Sequence, residues 1–77
     1  MQEMMTADYE VVLFPSVSYA LKAEKIFKSK GISYKLIPVP RHISSDCGFC
    51  IRFPSRLHQQ VVEALEGVVE FVAIRPL

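Results

Sequence analysis

Ile32-Ser33-Tyr34-Lys35-Leu36-Ile37 and Phe49-Cys50-Ile51-Arg52-Phe53 are the stretches that decide the fold. Both are rich in β-branched and aromatic residues, and the second alternates with period two, which reads as strand. Between them, Pro38 and Pro40 force extended, non-sheet backbone. Ser44, Ser45 and Asp46 are turn-prone. No helical pattern intervenes, so two strands follow one another in the middle of the chain.

The flanking segments repeat one plan. Tyr9-Glu10-Val11-Val12-Leu13-Phe14 reads as a first strand, ended by Pro15. Ser16 is an N-cap for a helix from Val17 to Lys30, with Val17, Ala20, Leu21, Ala23 and Phe27 on its apolar face. Gly31 stops it as a C′ glycine. Pro54 and Ser55 open a second helix whose apolar positions are Leu57, Val61, Ala64 and Leu65. Gly67 ends it, and Val68 to Ile74 reads as a fourth strand. The order β-α-β-β-α-β predicts an α+β, ferredoxin-like plait: a four-stranded antiparallel sheet with two helices on one face. Residues 9–77 are expected to form this domain, with residues 1–8 a flexible N-terminal segment.

The alternation also predicts faces. Phe49, Ile51 and Phe53 are expected toward the helices. Cys50 and Arg52 are expected on the open face, with Val12, Ile37, Val72 and Ile74. An open face that apolar suggests a homodimer or partner interface. Composition agrees, since 51% of the 77 residues are hydrophobic, more than so small a sphere hides.

Nine Lys and Arg balance eight Asp and Glu, which argues against a dedicated nucleic-acid binder. No apolar run approaches a membrane span, and the first eight residues lack a signal-peptide layout. A cytoplasmic protein with no nucleic-acid or membrane partner is expected. In that reducing compartment two cysteines are more often catalytic, metal-binding or inert than a structural disulfide. No cofactor motif, Ser-His-Asp set, phosphate-cradling glycine loop or paired acidic site is present, so the chain reads as a carrier or binding protein more than a complete enzyme.

The segment from Arg41 to Cys50 holds the candidate chemistry. Cys47-Gly48-Phe49-Cys50 is a C-x-x-C, but it opens a strand rather than a helix. Residues i and i+3 of a strand lie ~10 Å apart, and a disulfide needs Cα atoms within ~7 Å, so local pairing requires a turn at Gly48. A metal site is a second reading. Two thiols are half a tetrahedral zinc set, yet His42 and His58 match no familiar spacing, so no metal ligands are assigned. The preferred reading is a nucleophilic carrier thiol at Cys47, with Cys50 a resolving thiol. Cys47 follows a hydroxyl-rich turn, and its sulfur is expected to be reachable. The end of strand one, the start of helix one and the Pro38–Gly48 loop share one end of the sheet, where the helix dipole favours a thiolate. Arg41, His42 and Arg52 are candidate anchors for a thiolate or an anionic cargo. Ser16, Ser44, Ser45, Asp46 and Gly48 complete the candidate set. Asp46 opposes a thiolate by its own charge, or caps the turn. The inert alternatives are a small residue filling a loop for Cys47 and a half-buried sheet residue for Cys50.

The phrases Phe14-Pro15-Ser16, Ala20-Leu21-Lys22-Ala23-Glu24-Lys25, Gly31-Ile32, Lys35-Leu36-Ile37-Pro38-Val39-Pro40-Arg41, Ile43-Ser44-Ser45-Asp46-Cys47-Gly48 and Ile51-Arg52-Phe53 resemble a family of small bacterial selenium/sulfur carrier-like domains. The proline-arginine to cysteine-glycine stretch is the specific part. The resemblance implies a carrier role with Cys47 at the family's cysteine-glycine position, and sulfur or selenium donor and acceptor proteins as partners. Cys50 is not required by that pattern, and Ser18 stands where family members carry a histidine. Two rival functions are a small dimeric binding or regulatory module without chemistry, and a thiol metal chaperone or sensor.

Overall fold

The computed structural model describes residues 8–43 and 47–77. Its elements run β1 (Tyr9–Leu13), α1 (Val17–Lys30), β2 (Lys35–Pro38), β3 (Phe49–Pro54), a 3-10 turn (Ser55–Leu57), α2 (His58–Leu65) and β4 (Ala73–Pro76). The sheet order is β2-β3-β1-β4, and all three neighbouring pairs are antiparallel. This is the expected ferredoxin-like plait, with β1 and β3 central and β2 and β4 at the edges. Of the N-terminal segment only Asp8 is among the described residues; its carbonyl accepts the Ser55 N–H at 2.9 Å.

Two boundaries differ from expectation for identifiable reasons. Ile32 is not in a strand. Gly31, at φ 69°, ends α1 in the left-handed region, and the Ile32 N–H bonds back to the Phe27 carbonyl at 2.9 Å. That is a Schellman closure, and it buries Ile32 in the same core cluster as Phe27. Val68 and Val69 likewise belong to the exit of α2, since both N–H groups bond the Leu65 carbonyl at 2.9 Å. Pairing to β1 starts only at Val72, whose N–H meets the Leu13 carbonyl at 2.7 Å.

The main core lies between the sheet and the helices. It unites Val12, Phe14, Ile51 and Phe53 with Ala20, Ala23, Phe27, Val61, Ala64 and Leu65, and Leu36 and Ile74 pack against it. Val12 and Ile74 therefore face the helices, which corrects their expected place on the open face. Val12 pairs with Ile51 and Ile74, and side chains directly opposite in a ladder share a face. Val72 precedes β4 and is exposed. Val17 and Leu21 are also exposed, because the buried stripe of α1 runs through Ala20, Ala23 and Phe27. Phe49, expected toward the helices, is 42% exposed.

The second face is not bare. Val11, Leu13 and Cys50 are buried there beneath Ile43, with Ile37 and Val39 packed against them. A second, smaller core thus forms between the sheet and the loop joining β2 to β3.

A two-thiol site beneath a clamped loop

Cys50 occupies the middle of that smaller core. On β3 it pairs with Leu13 of β1 on one side and with Ile37 of β2 on the other. It is fully buried and is a free thiol, so the two sulfurs are not joined to each other. Burial in apolar surroundings is the chief reason its thiol is pushed up to about 11, and negative charge on Cys47 adds to the shift. At neutral pH Cys50 is therefore held protonated.

The loop above it is pinned at both ends. The Val39 N–H bonds the Gly48 carbonyl at 3.1 Å, which extends the β2–β3 ladder past the Pro38–Phe49 pair. Inside the loop, the Ile43 N–H bonds the Pro40 carbonyl at 3.0 Å, the signature of a β-turn with Arg41 and His42 at its tip. The turn sends Arg41 and His42 into solvent and returns Ile43 to the sheet.

Cys47 lies at the loop's far end, in a bend just before β3. Its sulfur was expected to be reachable, but the residue is only 4% exposed. Val39 and Ile43, among the described residues of the loop, likewise pack down onto the sheet. Leu13 opposite Cys50 and Pro38 opposite Phe49 confirm that the ends of β1 and β2 and the start of β3 meet at one end of the sheet. Gly48 is exposed, and a Cβ added there would meet nothing within 4 Å. Ser16 sits at the N-cap of α1 without a side-chain cap bond; its Oγ lies 2.9 Å from Ser18 Oγ. Ser44, Ser45 and Asp46 lie outside the described residues.

Arg52 is not brought to this site. It shares the face of Cys50 but stands two residues further along β3, with its guanidinium 4.5 Å over the Tyr9 ring centroid. His58 is also elsewhere: its Nδ1 lies 2.7 Å from Glu10 Oε1. Among the described residues no three of His, Cys, Asp and Glu converge on a common point, and no helix is long and apolar enough to cross a membrane. The residues missed from sequence are the lid residues Val39 and Ile43. A lone isoleucine between Arg41-His42 and Ser44-Ser45 was the available signal.

The arrangement is a pair of buried thiols, the charge of Cys47 acting on Cys50, with a short apolar lid over Cys50. The family model described as "Putative Se/S carrier protein-like" matches residues 8–70. The chain belongs to this family. The match spans β1 through α2 and takes in the loop and both cysteines of the Se/S carrier-like domain. No curated protein and no solved structure matches the chain.

Proposed function

We propose that this protein carries sulfur or selenium on Cys47, as a persulfide or selenopersulfide, between a donor protein and an acceptor. The observation that carries the reading is the burial of Cys47 three residues before a second buried thiol, Cys50, which Val39 and Ile43 cover, in a chain of this family. A persulfide loses its outer sulfur readily to solvent-borne thiols, and burial keeps them off it.

The chemistry balances without a resident cofactor. The Cys47 thiolate attacks the outer sulfur of a donor persulfide. The donor's S–S bond breaks, its thiolate leaves, and a new S–S bond forms on Cys47. Delivery is the same step reversed, with the acceptor's nucleophile taking the outer atom. Cys50 gives a second exit. As a thiolate it attacks Cys47 Sγ, expels hydrosulfide and forms a disulfide, which a dithiol reductant then reopens. Because Cys50 is held protonated, that exit is slow while the lid is closed. Loading and delivery both require the lid to lift, and docking of a partner at the Arg41–His42 tip supplies the occasion.

The test is loading by inorganic polysulfide, read by intact mass and peptide mapping. Gain of one sulfur atom on Cys47, lost in Cys47→Ser and kept in Cys50→Ser, is the expected result. Equal loading of Cys47→Ser removes the proposal.

A further inference from the structure

We infer that the cavity at the far end of the second sheet face binds a small phosphate monoester. Tyr9, Ser33, Tyr34, Lys35, Arg52 and Pro54 line a space of about 290 Å³. The carrier chemistry leaves this space unused. Lys35 and Arg52 are direct partners in the β2–β3 ladder, so their side chains leave the sheet on the same side. Like charges placed opposite each other on neighbouring strands destabilise the pair. Among the described residues neither is in an ion pair. Glu24, the carboxylate tied to the cavity wall, instead accepts the Tyr34 hydroxyl at 2.7 Å. Two positive charges thus border an open space that, among the described residues, no carboxylate lines.

The Arg52 side chain is also held in place for binding. The Tyr9 ring lies against the guanidinium at 4.5 Å, which fixes its plane and leaves its N–H edge for a two-pronged contact with an oxyanion. Lys35 adds a point charge from the next strand, and Ser33 adds a hydroxyl at the rim. Two cations favour a dianion over a carboxylate. The volume is about ten times the ~30 Å³ share of one water, room for an organic group as well as the phosphate. Tyr9, whose ring also meets the Arg52 guanidinium, supplies an aromatic wall for that group. The near balance of nine basic and eight acidic residues favours a small ligand over a nucleic-acid backbone.

The test is an NMR titration of the full ¹⁵N-labelled chain with phenyl phosphate. Phenyl sulfate serves as the monoanion control, and a short single-stranded oligonucleotide as competitor. Saturable shifts at Tyr9, Ser33, Tyr34, Lys35 and Arg52 are expected, with phenyl phosphate at least tenfold tighter than phenyl sulfate. Lys35→Gln and Arg52→Gln should each weaken binding at least tenfold. Lys35 is exposed, so Lys35→Gln carries the test if the Arg52 variant misfolds. The proposal is overturned by no saturable shift at millimolar ligand, by shifts centred elsewhere, by unchanged affinity in Lys35→Gln, or by an oligonucleotide that displaces the ligand at lower concentration. Polysulfide loading of Cys47 is read separately, so failure here leaves the carrier proposal standing.

Discussion

Ile43 packs into the buried cluster that holds Cys50, on the sheet face away from the helices. The contact joins a loop residue to a strand residue and turns a polar connection into a lid.

Truncating the lid tests this directly. Ile43→Ala removes buried apolar atoms and should cost ~2 kcal/mol, the low end for such a change, because the loop has room to settle. The midpoint of urea unfolding checks the cost. Alkylation of Cys50 at fixed pH should speed up in the same variant. An unchanged Cys50 rate shows that the lid does not control access.

Alkaline pH should unlock the site. The Cys50 thiol sits at about 11 against an ordinary value of 9.0, so the folded state holds this proton more tightly than the unfolded chain. That stabilisation is fully present below pH 9 and is lost as pH rises through 11. Unfolding curves from pH 8 to 11 should fall more steeply for the wild type than for Cys50→Val. Parallel curves would show that the buried thiol does not titrate with folding.

A second alkaline step belongs to Tyr34. Its hydroxyl is pushed up to about 12, first by desolvation and then by the hydrogen bond to Glu24 and that group's charge. By the same sign rule its contribution holds below pH 10 and fades toward 12. Tyr34→Phe should lower the unfolding midpoint at neutral pH, where the Glu24 bond is lost, and flatten the decline above pH 10. Glu24→Gln keeps an acceptor and should be milder.

Two glycines should respond in opposite ways. Gly31→Ala places a side chain at φ 69° and should destabilise by about 1 kcal/mol. Gly48 has open space where its Cβ would go and no positive φ, so Gly48→Ala should fold as the wild type does. If that variant loads polysulfide poorly all the same, Gly48 serves the approach to Cys47 and not the backbone.

Strong local signals explain what could be read in advance. The bounds of the helix from Val17 to Lys30 were legible, because Ser16 and Gly31 bracket it, but two residues assigned to its apolar face, Val17 and Leu21, are exposed. The strand order followed from two adjacent strand patterns and the handedness of the crossovers. The faces of β1 were misread. Val11, Val12 and Leu13 are all buried, and a strand covered on both sides shows no alternation by which to orient it. The lid was missed for the same reason, since its cover comes from a loop, where periodicity has nothing to say. Cys47 was singled out by its neighbours in sequence. Its burial is a tertiary property that neighbours in sequence do not report.

Both rims of the sheet finish on an imino acid. The edge strand β2 ends at Pro38 and the edge strand β4 runs to Pro76. Neither proline has an N–H to offer a strand from another molecule. Each rim is only four residues long, and short, proline-blocked edges resist strand-by-strand polymerisation. The two edges of the sheet are thereby closed to strand addition, whatever surface elsewhere on the domain meets a partner.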